Sequence, residues 1–159
     1  MKVKKTLVAA GLISLLTAGV VLADNHADNP FAAGIKARQA LMQVQAFNIG
    51  ILGAMAKGEA EYDAEAAVQA ATNIVHAASI HQPQAWAAGS DNSAVEGTRA
   101  LPALWQNFAD AVEKSAELLA AAEAMQAVAG NGQQAMGAAM GRLGRACGAC
   151  HEDYRVRRN

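Results

Sequence analysis

Cys147-Gly148-Ala149-Cys150-His151 is the stretch on which the reading of this chain turns. C-x-x-C-H is the attachment signature of c-type haem: two thiols bond to the porphyrin's vinyl groups and the adjacent imidazole becomes an axial iron ligand. The spacing has a physical reason. Residues three and four apart share a helix face, so Cys147, Cys150 and His151 point the same way and clamp a porphyrin flat against that face. The chain has no other cysteines. Three other chemistries compete for this pair. A Cys147–Cys150 disulfide needs no histidine. A zinc site wants more ligands, and there is neither a second C-x-x-C nor an H-x-x-x-H. A thioredoxin-like redox motif belongs near a β-α-β pattern, and the sequence carries no strand pattern. Covalent haem c, one per chain through Cys147 and Cys150, is the expectation.

Working outward, Met136, Met140, Leu143, Cys147, Cys150 and Tyr154 recur at alternating steps of four and three, the seam of a helix expected over about 133–158. Gly137, Gly141, Gly144 and Gly148 run beside that seam. Each interior glycine costs roughly 0.8–1 kcal/mol relative to alanine. The stripe is therefore read as a flattened face against which a porphyrin or a neighbouring backbone lies. Arg155, Arg157 and Arg158 are expected to answer the negative end of the helix dipole.

Three more helices precede this one. The first, about 30–57, opens at Asn29-Pro30 and stops at Gly58; its inward stripe reads Ile35, Met42, Ile49 and Ala56. Arg38 and Gln39 fall on the same seam, where a buried guanidinium needs a partner, and a haem propionate would suit its fork. The second, about 64–82, follows Asp63 as N-cap and ends at Pro83, with Ala67, Val68, Ala71, Ile74, Val75 and Ala78 inward. The third, about 102–129, starts at Pro102 and stops at Gly130-Asn131-Gly132, with Leu101, Leu104, Trp105, Phe108, Val112 and Leu119 as its apolar face. Residues 83–100 form a long irregular connection, expected to leave room for a flat cofactor, with Trp86 at its edge. The fold class is all-α: an antiparallel up-down four-helix bundle bearing haem on the last helix.

Residues 1–23 read as a secretory signal: Lys2, Lys4 and Lys5, then an apolar run, then small residues around Ala23. The run is too short and too interrupted for a spanning helix, so no membrane segment remains after cleavage. The domain is then residues 24–159, in the periplasm. Without those three lysines, ten basic residues face fourteen acidic ones, a formal charge of −4. A mildly acidic chain with no basic run gives no reason to expect nucleic acid. No acid–base pair, activated nucleophile or phosphate loop is visible, so the chain is not read as an enzyme.

Four antiparallel helices with C-x-x-C-H in the last resemble the cytochrome c′ family, an up-down bundle architecture. The segments that carry the resemblance are Lys36-Ala37-Arg38-Gln39, then Gly53-Ala54-Met55-Ala56-Lys57-Gly58 with Tyr62-Asp63-Ala64, and Cys147 through Arg155. The resemblance implies His151 as proximal iron ligand, Arg38 and Gln39 at the propionates, Arg155 beside the proximal face and Met42 over the distal face. It implies a five-coordinate iron that binds small neutral gases, NO and CO, or passes single electrons to a redox partner, and a possible homodimer through the first two helices. Met42 keeps an alternative open: as a sixth ligand it would make the protein a low-spin His/Met electron carrier.

Overall fold

The computed structural model describes residues 29–157. The order is α1 (Ala32–Lys57), α2 (Ala64–Ser79), a 3₁₀ turn (Pro83–Trp86), α3 (Ala103–Gln106), α4 (Phe108–Val128) and α5 (Gln133–Tyr154), with no multi-residue strand among the described residues. Each long helix packs on two others: α1 on α2 and α5, α4 on α2 and α5. This ring, with each helix turning back on the last, is the four-helix bundle.

The caps follow from local chemistry. The Asn29 side chain accepts from the Phe31 N–H, so α1 begins two residues later than the Asn29-Pro30 pair suggested. Asp63 accepts from the Glu65 and Ala66 N–H groups, orphan donors at the start of α2. Gly58 sits at φ 73°, a left-handed C-cap for α1 that favours glycine. Three helix ends differ from the sequence expectation. Helix α2 stops at Ser79, because Pro83 disfavours helix before itself and then opens its own turn. The third helix is broken at Asn107, whose φ −125° and ψ 44° are not helical. Helix α5 stops at Tyr154, where Arg155 turns extended and forms an antiparallel bridge with Ala100. Arg155 and Arg157 therefore do not lie on a final helical turn, and Arg158 is outside the described residues.

The seams also rotate relative to the expected ones. In α1 the buried residues are Ile35, Arg38, Gln45, Asn48, Leu52 and Met55, while Met42 is 38% exposed. In α4 Phe108 and Val112 lie on the solvent side and the buried positions are Ala121, Ala122 and Met125. The break at Asn107 resets the helix frame, so the apolar spacing of Leu104 and Trp105 does not carry on into α4. The core of Leu52, Ala67, Ala71, Ile74, Ala122, Met125, Met136 and Leu143 fills the end of the bundle nearest the α1–α2 and α4–α5 turns. Tyr62 ties those turns together, its hydroxyl donating to Ala129 O at 2.8 Å and accepting from Gly132 N at 3.0 Å.

Candidate haem-attachment site

The other end of the bundle is open. Helix α5 brings Cys147, Cys150 and His151 there as half-buried side chains, with both cysteines as free thiols. Burial pushes both thiols' pKa up. Burial first, then the nearby Arg155 and Arg99, pulls the His151 pKa down, which favours the neutral imidazole that ligates metals.

Cys150, His151 and Tyr154 form one wall of a cleft of about 870 Å³, and Arg38, Gln39 and Met42 on α1 form another. Trp86, Thr98 and Arg99 complete it from the long connection. The size falls in the range of cofactor and ligand sites. Cys147 stands one turn before Cys150 on the same helix and is not among the lining residues. An apolar floor, a thiol and an imidazole on one wall and cationic groups at the rim fit a planar, dianionic, covalently tethered macrocycle.

Arg38 is 4% exposed, and the connection is built around it. One terminal nitrogen donates to Ala85 O at 3.0 Å and Ser90 Oγ at 2.8 Å. The other donates to Ser90 O at 2.6 Å and Thr98 Oγ1 at 2.8 Å. Those bonds use the four terminal N–H groups of the guanidinium. The rings of Trp86 and Trp105 lie 4.9 and 5.6 Å from it, within cation–π range. Gln39 donates to Gly97 O at 2.7 Å. The Arg38 fork and the Gln39 amide thus donate to residues 85–98, and both side chains line the cleft. Burial lowers the Arg38 pKa, and the acceptors of its four terminal bonds are all uncharged.

Of the two uses read for the glycine stripe, a neighbouring backbone is not the one it serves. A Cβ on Gly137 would meet Ala56 Cβ at 3.9 Å, an ordinary contact, and one on Gly144 would meet nothing within 4 Å. No neighbouring backbone requires those glycines. The close approach is at Gly34 instead, where a Cβ would sit 3.0 Å from Gln84 O and 3.2 Å from Ala85 Cα. That contact lets the 3₁₀ turn lie on α1 within reach of Arg38.

Sequence reasoning missed a second polar group on this end. Tyr154, 6% exposed, donates its phenolic proton to Asp110. Lys114 Nζ donates to both Asp110 oxygens at 2.9 and 2.8 Å and lies 3.4 Å from Asp153. The bond to Asp110 raises the Tyr154 pKa to about 12, and Lys114 holds the Asp110 carboxyl below its usual range. The i,i+4 spacing of Asp110 and Lys114 was a legible signal. The Lys114 side chain is only 17% exposed. Gln45, also missed, is buried at 7% exposure beside a smaller pocket that shares Met42, Arg38 and Trp86 with the cleft.

A four-helix bundle whose last helix presents C-x-x-C-H to an open cleft defines a class: helical c-type cytochromes. The comparisons give the family. A family model described as Cytochrome C′ matches residues 33–155. The chain is 42% identical over 121 residues to cytochrome c-554 of Cereibacter sphaeroides, covering 76% of this chain and 91% of that protein. It is 36% identical over 155 residues to cytochrome c-556 of Agrobacterium fabrum, covering 97% of each. The solved cytochrome c′ from Rhodobacter sphaeroides superposes with a TM-score of 0.78 at 35% identity, covering 80% of this chain and 98% of that one. The chain belongs to the cytochrome c′ family, and its cofactor is covalently bound haem c on its only two cysteines.

Proposed function

We propose that the protein is a periplasmic haem c protein with His151 as its one protein axial ligand, binding NO or CO at an open iron position and exchanging single electrons. Haem supplies the iron that binds the gas and changes valence. The observation that carries the reading is the cleft itself, which sets the Cys150–His151 wall and Met42 around one space. The chain's own residues do the rest. His151 is held half-buried on α5, and Leu104, Trp86 and Ala100 supply apolar surface to the space. Neutral diatomic ligands lose little on leaving water for such a surface. Met42, which lines the cleft, is read as a space-filling neighbour of the iron, since methionine commonly fills apolar gaps. Arg38 and Gln39 hold the cleft's loop, with Arg155 beside the His151 face. In the bundle the protein works as a binding and transfer module, not an enzyme.

Residues 1–23, outside the described residues, are proposed as a signal removed near Ala23; the mass of the exported protein checks this together with the mass of one haem. No helix among the described residues is long and apolar enough to cross a membrane. A homodimer through α1 and α2 is proposed from the exposed apolar side chains Val44, Phe47 and Val68. Another cytochrome c′, 31% identical, is described as having an unusual ligand-controlled dimer dissociation. Sedimentation of the Phe47→Asp variant tests it.

The deciding experiment is the optical spectrum of oxidised, reduced and CO-treated holoprotein, with and without Met42→Leu. A high-spin spectrum that Met42→Leu leaves unchanged, with direct CO binding, supports the open site. A low-spin spectrum lost on Met42→Leu makes Met42 the sixth ligand and the protein a His/Met electron carrier.

A further inference from the structure

On α1, Leu41, Met42 and Gln45 lie three, four and seven residues after Arg38, so the four share one face. That face closes a second, smaller pocket of about 90 Å³ against the end of α2 and the middle of α4. Leu41, Ala77, Ala78 and Leu118 give it apolar walls. Arg38, Met42 and Trp86 line both this pocket and the haem cleft, so they form the partition between the two spaces.

One polar group in the pocket lacks a partner. Gln45 is buried, and its amide makes no hydrogen bond with another described residue. Asn48, one turn further on and as deeply buried, shows the contrast: it donates to Val44 O at 2.8 Å and accepts from Asn73 Nδ2 at 3.0 Å. A buried amide left without a partner is costly, so Gln45 needs one from outside the chain. Its polar atoms remain open to water, because no buried side-chain nitrogen or oxygen among the described residues is both unbonded and sealed off. The space Gln45 lines is this pocket. Ser115 lines it too, and Ala77 and Ala78 belong to the last turn of α2, where final carbonyls have no partner within the helix. A water takes up roughly 30 Å³ in the liquid and wants two to four polar partners, so the pocket has room for about three and the groups to hold them.

We infer that this pocket is a hydrated side chamber of the gas site: water held on the Gln45 amide fills it, and a neutral diatomic ligand crossing the partition at Met42 displaces that water. The inference rests on the gas-binding part of the proposed function and names the residue that sets how fast gas arrives. Displacing ordered water whose hydrogen bonds the newcomer cannot replace is a penalty on entry. Gln45 acts on entry and not on the iron-bound ligand, because it lines the chamber and not the haem cleft. Met42, unbranched and with several rotatable bonds, suits a partition that lets a small molecule by.

The test uses holoprotein. A crystal structure of the reduced, gas-free form should show water within hydrogen-bonding distance of the Gln45 amide. Gln45→Met, which keeps the side chain's length and removes its bonding groups, should lose that water. Flash photolysis of the CO complex reads the consequence. Gln45→Met should speed bimolecular CO rebinding about fivefold and leave CO dissociation within about twofold of the parent. Ala78→Leu, which fills the chamber from α2, should raise the fraction of CO that recombines before it escapes. Gln69→Met, at an exposed position on α2 outside the chamber, should change none of these. A Gln45 amide with no water on it, a Gln45→Met variant that rebinds CO at the parent rate, or an Ala78→Leu variant with the parent's recombining fraction overturns the chamber. Holoprotein that binds no CO defeats the gas reading itself, and the crystal structure tells that failure apart from a pocket without water.

Discussion

The two ends of the bundle are built by different physics. At the closed end Leu52, Ile74, Met125, Met136 and Leu143 are fully buried against alanines, and shape fit between helices holds the structure. At the open end the buried groups include Arg38, Ser90 and Asp91 beside Ile35, Ala85, Leu104 and Tyr154, and a loop forms one side. Apolar packing without direction suffices where helices meet helices. Where a flat cofactor must enter, directional bonds from Arg38 to Ala85, Ser90 and Thr98 fix the loop on one side of the cleft. The difference teaches that one side of the site is set by polar bonds, and not left over from helix packing.

The largest break in that contrast comes from removing the thiols. Cys147→Ser/Cys150→Ser is expected to abolish the mass gain of one covalent haem, with the closed end still folded by far-ultraviolet circular dichroism. Next is the closed end itself. Leu143→Ala removes a fully buried side chain and is expected to cost about 2–5 kcal/mol in chemical denaturation, with the haem spectrum unchanged. At the open end Arg38→Gln strips four bonds from buried or half-buried acceptors, a loss of about 3 kcal/mol. Its mark is local: amide exchange across residues 85–98 should accelerate while α2 and α4 stay protected.

The smallest effect is a pH limb. Tyr154's folded pKa is raised, to about 12, chiefly by its bond to Asp110. A raised pKa stabilises the fold fully below the ordinary tyrosine value, and the contribution is lost as pH climbs through the window up to about 12. Asp110, held low by Lys114, acts in the opposite sense: its contribution is present above the usual carboxylate pKa and disappears as pH falls through the folded value. Thermal midpoints of the parent should therefore drop at both extremes, and Tyr154→Phe should flatten the alkaline drop and, because the Tyr154 hydroxyl also helps hold Asp110 low, soften the acid one.

How far the fold could be read ahead of the structure follows the same division. The helices, their caps at Asp63 and Gly58, and the α5 seam through Met136 and Leu143 were legible because period and capping are local signals. The cleft wall was legible too, since Cys150 and His151 announce themselves by spacing. What escaped notice was long-range. Nothing near Arg38 in sequence reveals that Ser90 and Thr98 will receive its protons, and nothing near Asn107 says that one helix will become two. Phe108 and Val112 were read as inward because the break that turns them outward has no proline or glycine to mark it. The glycine stripe of α5 meets no neighbouring backbone, while Gly34, a single residue without a pattern, carries the close contact.

The short pairing of Arg99–Leu101 with Tyr154–Val156 is made of non-local bonds, Leu101 N to Tyr154 O and Val156 N to Arg99 O. Joining segments so far apart along the chain closes a long loop, and that entropy is repaid only by the finished fold. The end of the connection and the residues just after the attachment helix are thereby moored to each other by main chain, whatever side chains they carry.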